Sequence, residues 1–138
     1  MDFDKEIELT RNRNMDNIVN AVSYNSGIKK KELISKSRLR HTVDARKMIY
    51  KLVRDIYGYS LLVMGKYFGK NHATIIHQIR EHDKLVVLDK NYEARYRQIM
   101  ELILADSDQF STQRLLLKEK EYYQKRLEDI NSKILSNE

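Results

Sequence analysis

The chain has 138 residues, 33% charged and 41% hydrophobic, with a net charge of +6. That length suits one compact domain with a small appendage. Cysteine and proline are absent and glycine occurs four times, which excludes disulfides and thiolate-rich zinc sites and removes the turn chemistry of an all-β fold. No apolar run approaches the roughly 20 residues of a membrane span. The acidic, mixed start MDFDKEIELT does not fit a signal peptide, so a cytoplasmic protein without membrane contact is expected.

The periodicities describe an all-α chain. Residues 1–14 alternate charge and polarity without a period and form a charged tail, frayed or with a short helical lead-in. Ile18, Val19 and Val22 open a helix that Gly27 ends. Residues 28–35 form a helical turn with Leu33 and Ile34 inward, behind the lysine triplet 29–31. The stretch SKSRLRHT, residues 35–42, has no apolar period and reads as a basic loop. Val43, Ile49, Leu52, Val53 and Ile56 then stripe a helix from about Val43 to Tyr57, closed by Gly58. Ser60 caps a short helix carrying Leu61, Met64 and Phe68, and Gly69 ends it. Asn71 caps the next, His72 to about Leu88, with Ile75, Ile76, Ile79 and Val86 inward. Tyr92, Tyr96, Ile99 and Ile103 mark another, ending near Ala105. The domain is thus expected over residues 15–105, a compact helical bundle. Residues 106–138 supply a linker and a C-terminal helix in which Leu116, Tyr123, Leu127, Ile130 and Ile134 follow a 3-4 spacing. That seam fits equally a coiled coil, offering a homodimer through residues 112–136, and a helix packed back on its own domain.

The charge is concentrated. Residues 29–54 hold ten lysines or arginines against Glu32 and Asp44, so this segment carries +8 and the other 112 residues sum to −2. Such one-sidedness is the footprint of a polyanion partner. Just downstream, Ser60–Leu85 has the parts of a helix-turn-helix: a short helix, a glycine turn, and a second helix that opens with His72, Ala73 and Thr74. Gly65 lacks a side chain where the two helices would cross. Histidine and threonine can hydrogen-bond base edges, and the alanine and threonine methyls can pack on thymine. Lys70 in the turn is placed for a phosphate.

The stretch SKSRLRHTVDARKMIYKLVRDIYGYSLLVMGKYFGKNHATIIHQI resembles the C-terminal DNA-binding domain of DnaA, the bacterial replication initiator, in the Trp-repressor-like helix-turn-helix group. The shared features are the SKSR loop, Ala45-Arg46 with Met48 and Leu52, Ser60-Leu61, the Gly65-x-x-Phe68-Gly69 turn, and His72 with Thr74. The likeness covers roughly Met15 to Leu104. It implies minor-groove reading by Arg38, contacts to backbone and major groove from Arg46 and Lys47, and major-groove reading by Asn71, His72, Ala73 and Thr74. With the basic pattern, phosphate contacts are expected from Lys36, Arg40, Arg46, Lys51, Arg54, Ser60, Lys70 and His77. Three departures stand out: the turn is one residue shorter than usual, asparagine stands at 71 for aspartate, and alanine at 73 for threonine. No GxxxxGK[ST] phosphate loop occurs in these residues, so neither the initiator's ATPase module nor a nucleotide cofactor is expected.

His72, His77 and His82 are spaced by five, which puts successive rings about 140° apart on a helix. They do not share a metal ion. No nucleophile–base constellation is visible, so no enzyme is expected. The expected function is sequence-specific binding of double-stranded DNA in replication or transcription control, of a phage or mobile element among other settings. The reading from a different class is a helical scaffold or adaptor acting through its last helix. RNA binding ranks third, because no aromatic stacking platform is evident.

Overall fold

The computed structural model describes residues 2–106 and 113–136, and among these there are seven helices and no strand. They are α1 (Phe3–Ser26), α2 (Lys30–Leu33), α3 (Arg40–Tyr57), α4 (Leu61–Phe68), α5 (His72–Leu88), α6 (Lys90–Ala105) and α7 (Gln113–Ser136). No described helix is long and apolar enough to cross a membrane.

Helix α3 is the axis of the fold, packed against α1, α2, α5 and α7. Met48, Ile49, Leu52, Val53 and Ile56 are buried along it. They meet Met15, Ile18, Val19 and Val22 of α1, Ile75 and Ile79 of α5, and Tyr92, Tyr96, Ile99 and Ile103 of α6 in one cluster. At about 1.5–3 kcal/mol per fully buried large apolar side chain, this cluster is the main favourable term of the fold.

Helix α1 is longer than the sequence suggested. Asp2 caps it by accepting from the backbone N–H groups of Asp4 and Lys5, and Asp4 and Glu6 complement the helix dipole in the first turn. With no glycine or proline between Phe3 and Ser26, nothing stops the helix, so residues 3–14 continue it instead of fraying. A Glu8–Lys66 ion pair of 3.3 Å and a hydrogen bond from Asn14 Nδ2 to the Tyr59 hydroxyl (2.9 Å) tie this arm to the α4 side. Two further boundaries move. Arg40, His41 and Thr42 are helical, so the basic loop is confined to residues 34–39. Ile34, expected inward, is 46% exposed, because α2 ends at Leu33 and only Leu33 enters the core.

Helices α4 and α5 form the helix-turn-helix. Ser60 Oγ accepts from the Val63 N–H at 3.1 Å, and Gly69 ends α4 with φ +66. A Cβ on Gly65 would lie 2.5 Å from the Lys70 carbonyl oxygen, so glycine is required for the turn to fold back on α4. The Lys70 N–H closes that turn onto the Gly65 carbonyl at 3.0 Å. An edge-on contact between Phe68 and Tyr50, 5.0 Å between centroids, seats α4 on α3.

Helix α7 lies against α3, and Arg126 pairs with Glu93 of α6 at 3.6 Å. Its Glu121, Tyr122 and Lys125 border a cavity of about 240 Å³ shared with Lys51, His82 and Tyr96. At 100° per residue these positions lie well away from the apolar seam. The seam stays open: Leu127 is 61% exposed and Ile134 56%. The chain therefore packs back through one face of α7 and leaves the seam on another. Residues 107–112, and with them most of the expected linker and the start of the expected dimer segment, lie outside the described residues, as does the Leu116 side chain.

Candidate nucleic-acid interface

The basic loop is built by serines and one arginine. Ser35 Oγ donates to the Glu32 carbonyl (2.6 Å) and accepts from the Ser37 N–H (3.1 Å), and Ser37 Oγ accepts from the Leu39 N–H (3.4 Å). These local bonds hold a turn without regular structure. Across them lies Arg46. Its Nε donates to the Leu33 carbonyl (2.7 Å), Nη1 to that of Ser37 (2.5 Å), and Nη2 to those of Ser35 (2.6 Å) and Glu32 (3.1 Å). The side chain is 8% exposed.

Arg46, expected from the sequence as a DNA contact, thus has its donors engaged by the backbone of the loop that carries Lys36 and Arg38. Three more of the expected contacts have partners within the protein. Lys47 pairs with Asp44 at 3.4 Å, with only 13% of its side chain exposed. Lys51 pairs with Asp83 of α5 at 2.9 Å and borders the cavity under α7. Arg54 donates to the Tyr59 carbonyl, fixing the α3–α4 connection. Arg40 touches Asp44 only at 4.0 Å and is 84% exposed. Ser60 is exposed but its oxygen is engaged as the α4 cap.

Four of the other expected residues, Lys36, Arg38, Lys70 and Thr74, border one space. A cleft of about 270 Å³ is lined by Lys36, Ser37, Arg38 and Arg46 from the loop side, Lys70 from the turn, and Thr74 and Gln78 from α5. Arg38 and Thr74, 36 residues apart in sequence, border the same space. Asn71, His72, Ala73, Thr74 and His77 are all exposed. Asn71 Oδ1 accepts from the Ala73 N–H at 2.8 Å, so the cap uses the oxygen and leaves the amide NH₂ available. Tyr50 lines the cleft wall, and burial pushes its hydroxyl pKa up, with Arg46 pulling the other way, so it stays a neutral phenol.

With this geometry in view, comparison with known proteins is decisive. Residues 15–81 match the family described as the bacterial DnaA protein helix-turn-helix. These residues are a DnaA-type helix-turn-helix domain. The chain is similar to chromosomal replication initiator proteins DnaA. It is 28% identical to that of Campylobacter curvus over 75% of this chain and 26% of the relative. It is 31% identical to that of Campylobacter concisus over 70% and 22%, and 27% identical to that of Bacteroides thetaiotaomicron over 73% and 25%. The chain therefore corresponds to about a quarter of the length of these DnaA relatives.

Gln78, which also lines the cleft, was not among the residues expected from the sequence. Its signal was available: it stands four residues after Thr74, one turn along the same face of α5. The role of Arg46 had no such signal, because its partners are main-chain carbonyls.

Proposed function

We propose that this chain binds double-stranded DNA sequence-specifically, with the α5 tip in the major groove and the Arg38 loop in the adjacent minor groove. The observation that carries the reading is the shared cleft, which sets Arg38 and Thr74 on either side of a gap bordered by Lys36 and Lys70. His72, Ala73, Thr74 and the free amide of Asn71 are the base readers. Because the Asn71 oxygen is committed to the cap, its amide favours a base acceptor, such as guanine O6 or thymine O4, where aspartate would favour a cytosine amino group. Lys36, Arg40, Lys70 and His77 are the backbone contacts. No catalytic role, nucleotide or metal enters this reading.

A DnaA-type reader of this kind serves replication or transcription, including at a phage or mobile-element box. Occupancy of the box is the shared step. The open seam of α7 supports pairing of two copies, which would join two boxes and raise avidity. Titration of a fluorescent duplex over a salt series tests the central reading. With Lys36, Arg38, Arg40 and Lys70 at the backbone or in the groove, log affinity should fall against log salt with a slope of about −3 to −4. A helical adaptor with an incidental basic face would show no salt-linked affinity.

A further inference from the structure

The two grooves of a duplex are separated by a sugar–phosphate strand. If the α5 tip occupies one groove and Arg38 the next, that strand must run through the cleft between them. Four cations border the cleft, Lys36, Arg38, Lys70 and the loop-bound Arg46, together with one neutral amide from α5, Gln78. The Gln78 carboxamide has no partner within the described protein: Oε1 is buried and accepts no hydrogen bond. A phosphate oxygen can only accept, so an amide that serves it must turn Nε2 outward and Oε1 inward. The shielded atom here is the oxygen, which leaves the donor end for the cleft.

We propose that Gln78 is a further DNA-contact residue whose Nε2–H donates to a phosphate of the strand lying in the cleft. The inference rests on the DNA-binding reading above. A glutamine contact differs from a lysine contact in one measurable respect: it displaces no counterion, so it adds affinity without adding salt dependence.

The test uses the full chain and two duplexes, one that the wild type selects from a random pool and one scrambled duplex of equal length. Gln78→Ala should weaken binding to both by the same factor, about tenfold for a hydrogen bond to a charged acceptor, with the salt slope unchanged. Gln78→Glu, nearly the same size, should weaken both further by setting a carboxylate against the phosphate. Melting temperatures of both variants should match the wild type or exceed it, since the amide removed has no partner. A loss confined to the selected duplex would make Gln78 a base reader and overturn the proposal. So would wild-type affinity in Gln78→Ala, or a drop in melting temperature that accounts for the loss. If the wild type itself binds neither duplex, the DNA-binding reading falls with it, an outcome distinct from a binding wild type with an indifferent variant.

Discussion

Replacing Arg46 separates two roles that a cation in a basic segment can play. In the structure its guanidinium donates to the carbonyls of Leu33, Ser37, Ser35 and Glu32. Each hydrogen bond involving a charged group contributes about 1.5–3 kcal/mol. Four bonds from one side chain do not add, and the part-buried carbonyls of Ser35, Ser37 and Glu32 are expected to regain water when it is removed. A loss of about 3 kcal/mol is expected for Arg46→Ala, or roughly 10 °C in melting temperature. Arg46→Lys should lose about half as much, because an ammonium cannot span carbonyls spread over six residues as a planar fork does. Thermal melts followed by circular dichroism give both numbers. Because Arg46 acts through the loop, its effect on DNA affinity should not add to that of Arg38→Ala in a double-mutant cycle. Should Arg46→Ala melt like the wild type, reduce the salt slope by about one unit, and add fully to Arg38→Ala, Arg46 would be a direct phosphate contact and the scaffold argument would be wrong.

Further predictions concern other parts of the chain. His72→Ala and Thr74→Ala should each cost about 1–3 kcal/mol at the preferred site and little on random duplex; equal losses on both duplexes, measured by titration, would remove the base-reading role. Gly65→Ala forces a methyl against the Lys70 carbonyl and should destabilise by about 1–3 kcal/mol in urea melts, and an unchanged midpoint would show that the turn yields. His82 shares a 2.6 Å hydrogen bond with the Tyr92 hydroxyl, and burial, with Lys51 and Lys47 nearby, pushes its pKa down to about 3. The unfolded chain takes up this proton below about pH 6.5 while the folded chain refuses it. Stability should therefore fall as pH drops from about 6.5 toward 3, by up to about 1.4 kcal/mol per pH unit from this residue. His82→Gln should remove one proton from that dependence, and an identical pH profile would show that His82 does not contribute. Leu127→Glu with Ile134→Glu should leave the fold intact and give a monomer by sedimentation where the wild type sediments as a dimer; equal masses for both proteins would remove the seam from the account.

The core was legible because its signals are local. Gly58 and Gly69 adopt positive φ at the ends of α3 and α4, while Ser60 and Asn71 cap α4 and α5 through their own side chains. The apolar stripes of α3 and α6 are the buried faces. What escaped depended on partners distant in sequence. Ten cations in residues 29–54 read alike on the page, yet Lys30 pairs with Asp16, Lys51 with Asp83, and Arg46 and Arg54 with main-chain carbonyls. None of these has a helical spacing to mark it in advance, unlike the pairs of Asp44 with Lys47 and with Arg40, three and four residues apart. Several charges of the basic segment are therefore engaged within the protein itself, which their sequence alone does not show. The long α1 escaped for another reason: residues 3–14 bury little, so no apolar period announces them, and the Asp2 cap with no glycine or proline in the way carries the helix.

The most direct test of the DnaA-type reading is selection of bound duplexes from a random pool by the full chain, followed by titration of the selected duplex against a scrambled one. The account predicts a short shared box, bound more tightly than the scramble, whose preference relaxes in His72→Ala and Thr74→Ala. A pool that yields no common box, or one whose preference is indifferent to both changes, would contradict it.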